Sequence, residues 1–199
     1  MISTLIHSLT LFLLTQISTP ILKQAPPPVA PLNSPFTGLV SMVVEPDASG
    51  NVVTVSPLVG AAPFLNASVE AVKKWKFATS TPVSVTFLYR ARQIFSAAGF
   101  ETEVPEPESA ENSPPVLHVF TDPAYPVTSI AEDVVILELT ISSTGTTQRV
   151  NVIRDVASLT DVAVKAVKDW KFSPAVAGGK PVEGTAIVGI SFLRPIVLP

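Results

Sequence analysis

Cysteine is absent from the 199 residues. Disulfides, thiol nucleophiles and cysteine-based zinc sites are therefore excluded. Histidine is nearly absent: His7 and His118 are the only two. One lies in an apolar N-terminal stretch and the other beside a proline-rich one, so a Ser-His-Asp triad has little to draw on. Glu132 and Asp133 are adjacent, and their side chains diverge rather than form a catalytic pair. Charged residues make up only 15% and the net charge is -3, so no basic field draws the chain to nucleic acid. These absences point away from an enzyme, a cofactor or a metal site.

What remains is apolar and proline-rich. Hydrophobic residues make up 47%, and the 20 prolines gather in two places. There is ample material for a core, and the proline clusters read as spacers.

The chain also spells one phrase twice. AVKKWKF at Ala71–Phe77 returns as AVKDWKF at Ala166–Phe172. At an offset of 95 residues, Gly38–Phe77 lies over Asp133–Phe172 without a gap, and eleven of forty positions are identical. A fixed offset without insertion marks a duplicated unit.

Each copy reads as strand, turn, strand, helix, strand. In the second copy DVVILELTIS is aliphatic with partial alternation, STGTT supplies the turn glycine, and QRVNVIRDV returns. In SLTDVAVKAVKDWKF the period changes: Ala163, Ala166, Val167 and Trp170 form a helical stripe. Ser158 is expected to cap that helix with Asp161 in its first turn, and Pro174 to end it. The last strand, within GTAIVGISFLRP, sets Ile187, Gly189, Ser191 and Leu193 on one side, with Val188, Ile190 and Phe192 on the other. The first copy lacks the SPAVAGGKPVEG loop, and Pro57 sits late in its second strand. Trp75 and Trp170 read as helix-end anchors packed on a sheet.

The second copy combines Asp122-Pro123-Ala124-Tyr125-Pro126, a hairpin with Gly145, the helix and its W-x-F, Ser173-Pro174-Ala175, Gly179-Lys180-Pro181-Val182 and Ile190-Ser191-Phe192. This combination resembles the C-terminal domain of TonB-family energy transducers. At the other end Ser3 and His7 stand four apart, similar to the S-x-x-x-H pattern of the family's membrane anchor.

The fold expected is α+β: two tandem ββαβ domains, each a small antiparallel sheet on one helix, after an N-terminal membrane helix. The boundaries expected are 1–22 for an anchor or signal-like segment, uncharged before Lys23, and 23–37 for a proline-rich linker reaching roughly 45 Å. A degenerate domain at 38–92, an acidic proline-rich linker at 93–116 and a TonB-like domain at 117–199 follow.

The resemblance implies an inner-membrane, single-pass protein with its C-terminal region in the periplasm. It would grip a receptor peptide by adding it as a strand. The surface expected is the last strand, with Thr185, Ile187, Gly189, Ser191 and Leu193. Asp122, Pro123, Ala124 and Tyr125 are expected beside the receptor peptide. Ser3 and His7 would meet a proton-driven motor of the ExbB and ExbD kind. A homodimer through the first copy's last strand is a further expectation. The alternative is an envelope protein-binding or scaffold module without energy coupling.

Overall fold

The computed structural model describes residues 20–31, 37–92, 101–105 and 110–195. The architecture is α+β, mostly sheet with two helices. A short strand β1 (Leu22–Gln24) precedes the hairpin β2 (Gly38–Pro46) and β3 (Val52–Val59). Helix α1 (Phe64–Val72), the two-residue β4 (Lys76–Phe77) and β5 (Val83–Tyr89) complete the first half. After β6 (Glu101–Glu103) and β7 (Val116–Thr121), the second half follows the same course. Its hairpin is β8 (Asp133–Ile141) and β9 (Thr147–Arg154), its helix α2 (Thr160–Asp169), and the strand after the helix β10 (Lys171–Ser173). A small inserted hairpin, β11 (Ala175–Ala177) and β12 (Lys180–Val182), leads to the last strand β13 (Gly184–Phe192).

The two hairpins and two last strands do not make two sheets. They make one, of six strands in the order β3-β2-β5-β13-β8-β9. All neighbours are antiparallel except the central pair, β5 and β13, which run parallel. The expectation of a separate small sheet on each helix is corrected on this point.

Side chains alternate along a strand, so the two faces can be read off directly. Val83, Val85 and Phe87 of β5 cluster with Val72, Trp75 and Ile187. Leu88 clusters with Val188, Ile190, Val167 and Trp170. Helices α1 and α2 therefore cover opposite faces of the shared sheet. Ile187 and Val188 are both fully buried, as a strand with both faces covered requires.

The turns repeat at the 95-residue offset. In the first hairpin Asp47 accepts N–H bonds from Ser49 (2.8 Å) and Asn51 (2.9 Å). In the second, Ser142 Oγ accepts those of Thr144 (3.2 Å) and Thr146 (3.1 Å). Gly50 has φ +81° and Gly145 φ +80°. Their carbonyls accept the N–H of Phe77 and Phe172, each at 2.9 Å. The helix-end tryptophans behave as their position predicts, each 1% exposed.

Sequence pattern misplaced several boundaries. Helix α2 ends at Asp169, five residues before Pro174, and Trp170 is already extended (φ -67°, ψ 150°). Ser158 is not the cap: it has φ 68° and its hydroxyl pairs with Ser129. Leu159 takes the cap position without a side-chain cap bond, and Thr160 Oγ1 accepts the N–H of Val156 (2.9 Å) in the preceding turn.

The proline-rich stretch after Lys23 is no free spacer in its first part. β1 pairs with β4 (Leu22 opposite Phe77), just as β7 pairs with β10 (Leu117 opposite Phe172). Trp75 Nε1 donates to the Pro26 carbonyl (2.9 Å), as Trp170 Nε1 donates to that of Thr121 (3.1 Å). A proline has no N–H but keeps its carbonyl, so such a strap can still satisfy a buried indole. The acidic linker is likewise partly built in: β6 pairs with β7, and Ser113 exchanges backbone bonds with Val176.

The expected N-terminal membrane helix, with Ser3 and His7, falls outside the described residues. Among the described residues no helix is long and apolar enough to cross a membrane.

A Cβ on Gly145 would lie 1.9 Å from the Phe172 carbonyl oxygen, whereas one on Gly178 meets nothing within 4 Å. Gly145→Ala is expected to cost more than about 1 kcal/mol, and more than Gly178→Ala, where only the left-handed backbone is strained. Thermal denaturation of both variants checks the order.

Candidate functional site at the seam between the halves

The seam is a parallel ladder in which Ala186–Ser191 lie opposite Ser84–Tyr89. On its other side β13 pairs with β8 from Gly184 to Phe192. Its backbone is thus used on both sides. This fixes where the sequence-predicted docking residues lie. Ile187, Gly189 and Ser191 are in the seam, each with a register partner in both β5 and β8. Thr185 pairs with Thr140 of β8. Leu193, just past the strand, is 7% exposed. The expected free edge at the last strand is corrected: β5 occupies it. The same pairing consumes the first copy's last strand, the edge expected to form a homodimer.

Gly189 explains why the two strands fit closely. Its register partner in the seam is Phe87, whose ring would lie 2.4 Å from a Cβ placed on Gly189. The ring covers the glycine, packs edge-on against Trp75 (5.6 Å between centroids) and belongs to the α1-side core.

The sheet's outer edges belong to β3 and β9, and both are blunted. The β2–β3 register shifts between Ser41/Met42 and Glu45/Pro46. The β8–β9 register shifts at the corresponding places, Ile136/Leu137 and Thr140/Ile141. Bulges at both ends twist an edge away from a new strand. Pro57 removes a donor from β3, while β9 carries Arg149 and Arg154, the latter paired with Asp133.

The segment before β8 crosses the α2 side of the seam. Asp122, Pro123 and Tyr125 are buried and Ala124 is half-buried. The Tyr125 hydroxyl donates to the Ala131 carbonyl (2.9 Å). Asp122 accepts from Arg90 Nε at 2.5 Å, with side chains 10% and 2% exposed. Arg90 follows β5, donates its backbone N–H to Ser191 (3.1 Å), and stacks its guanidinium 5.7 Å from the Phe192 ring. Burial pushes the Asp122 carboxyl above its ordinary value, although the nearby Arg90 charge pulls it down. Of the four residues expected beside a receptor peptide, three are buried, and Asp122 is an ionic pin between the halves.

At the end of the seam where β5 and β13 begin, Pro82, Val83, Pro115, Ala175, Val182 and Gly184 help line a cavity of about 440 Å³. Sequence reasoning missed Arg90 and this cavity. Arg90 follows a strand in a stretch without a motif, and only the pairing of the halves brings Asp122 to it. Among the described residues no group of three or more His, Asp or Glu side chains could hold a metal ion.

Among the described residues the seam thus combines a strand paired on both sides, a buried ion pair and blunted outer edges. Residues 122–193 match the family described as Gram-negative bacterial TonB protein C-terminal. The match covers 72 of the 199 residues and falls on the stretch whose motifs carry the resemblance. No curated protein matches the chain, and no solved structure does.

Arg90→Ala leaves Asp122 buried without its cation, which is expected to cost about 3–5 kcal/mol. The loss depends on pH. A carboxyl whose folded-state pKa is raised favours the fold most when protonated, and that contribution falls as pH climbs past the ordinary aspartate value of 3.8. Removing Arg90 raises the group further, so the deficit should be small in acid and grow toward neutrality. Urea denaturation of both proteins across that range measures it.

Proposed function

We propose that the chain is an envelope protein-interaction module of the TonB type whose docking strand is already occupied by its own first half. A receptor peptide then enters by exchange: it takes the place of β5 beside β13 instead of adding to a bare edge. The observation that carries this reading is the parallel β5–β13 ladder within a chain whose residues 122–193 match the TonB C-terminal family. β5 gives β13 what any added strand would give, namely main-chain hydrogen bonds and matched side chains on two faces. An incoming peptide must therefore match that pairing before it gains anything.

In the fuller form of the reading, the apolar N-terminal segment anchors the chain in the inner membrane, and the rest lies in the periplasm. Ser3 and His7 then meet an ExbB- and ExbD-like motor, and exchange at the seam transmits its work to the receptor. Within a membrane span an ionisable side chain is costly, which supports a coupling role for His7. The second reading is a scaffold module without energy coupling, in which the seam never parts. The double pairing of β13 favours it.

Hydrogen exchange of the full chain with a short peptide from a receptor's N-terminal box separates the two. Exchange predicts that amides in Ser84–Tyr89 lose protection while those in Ala186–Ser191 keep it, because the peptide replaces one strand and pairs with the other. Unchanged protection of both strands at saturating peptide supports the scaffold. In the fuller reading, His7→Ala abolishes receptor-dependent uptake and leaves peptide binding intact; unaltered uptake removes the motor.

A further inference from the structure

The α1 side of the seam carries a second crossing. Glu138 stands in the middle of β8 and is 5% exposed. Its Oε2 accepts the backbone N–H of Ile21 (2.8 Å) and of Leu22 (3.2 Å), while its Oε1 accepts from Asn151 Nδ2 (3.2 Å). The carboxylate thus belongs to the second half and binds main chain that precedes the first.

The same two residues are held from the other side by the first half. Ala78 donates its N–H to the Ile21 carbonyl (2.6 Å), and Leu22 pairs with Phe77. The Leu22 side chain is 4% exposed and belongs to the cluster that contains Val134, Ile136 and Ile187 of the second half. Further along, Pro26 takes the Trp75 indole bond, and Pro28 and Ala30 face Val134 and Ser191–Leu193 across a cavity of about 190 Å³. Residues 20–31 therefore grip both halves and cross from one to the other.

We propose that this segment is a latch on the seam, with Glu138 as its clasp: β5 and β13 part only after Ile21 and Leu22 leave the carboxylate. Two amides share one buried acceptor, so release breaks both bonds at once and leaves the carboxylate only its Asn151 bond. The rest of the strap is held by one indole, by apolar contacts and by a two-residue strand. Anything that displaces the chain ahead of Pro20 meets the clasp before it loads the seam ladder. The latch goes beyond peptide exchange, since it governs the opening of the seam whatever enters it.

The test is hydrogen exchange of the full chain without any peptide, comparing the wild type with Glu138→Ala and Glu138→Gln. The latch predicts that Glu138→Ala speeds exchange of amides in Ser84–Tyr89 and Ala186–Ser191 by about tenfold or more, the loss expected for a buried charge-assisted bond. The β2–β3 hairpin and both helices should stay within about twofold. Glu138→Gln, which keeps a carbonyl oxygen for the strap, should fall between. Should Glu138→Ala fail to fold, Ile21→Pro removes the 2.8 Å donor without altering the six-stranded sheet and should give the same seam-selective pattern. Unchanged seam exchange, or equal acceleration in every element, overturns the latch. With no peptide in the sample, either result leaves the exchange reading to its own test.

Discussion

Much of this molecule follows from the parallel pairing of β5 with β13. When two like units join side by side through like strands running in one direction, a half turn about an axis along those strands relates them. That operation turns the second unit's sheet over. Each helix then covers only its own half of one face, and the opposite face of each half needs a cover from elsewhere. The two straps supply it. Residues 20–31 reach from the first half onto the second at Glu138, and the segment around Asp122 reaches from the second half onto the first at Arg90. Both clasps are buried carboxylates, one bound to main chain and one to a guanidinium. Where Asp122 and Arg90 stand in one crossing, the 95-residue offset puts Pro27 opposite Asp122, so only one of the two crossings is ionic.

The local course of each half was legible from the residues. Period-two stretches became β2, β3, β8 and β9; of the expected helical stripe Ala163, Val167 and Trp170 are buried and Ala166 is half-buried, with Trp170 just past the helix end. Gly50 and Gly145 take the positive φ that their turns demand. The alternation assigned to the last strand is also correct, with Ile187 and Val188 on opposite faces. What alternation could not tell is that both faces are covered. GTAIVGISF is nearly all apolar, and such a strand is as compatible with the centre of a sheet as with an edge.

The straps were illegible for a different reason. Leu22–Gln24 and Lys76–Phe77 are too short to carry a period, and proline there signals a spacer as readily as a strand end. Of their counterparts, Lys171–Ser173 was hidden by the helix pattern running through Trp170, and Val116–Thr121 lies at the end of the acidic proline-rich stretch. The indole bond that ties each strap down spans 49 residues in both halves. The Ser158 cap failed because tertiary context won: its hydroxyl is taken by Ser129 and its backbone is left-handed.

Closure at the seam changes what a TonB-type domain means in this chain. Strand addition needs an edge, and this sheet offers none in ready form: β13 is flanked on both sides, and β3 and β9 carry bulges at both ends. In the proposed exchange an outside strand competes with β5, and its selectivity would come from how well the newcomer replaces contacts such as Phe87 over Gly189.

The most direct measurement is a set of cross-strand nuclear Overhauser contacts in the full chain. Parallel pairing predicts contacts linking Val85 with Ile187, Thr86 with Val188 and Phe87 with Gly189, alongside the antiparallel contacts of β13 with β8. Antiparallel contacts of β5 with β2 and of β13 with β8, but none between β5 and β13, would leave two independent halves and contradict the closed seam.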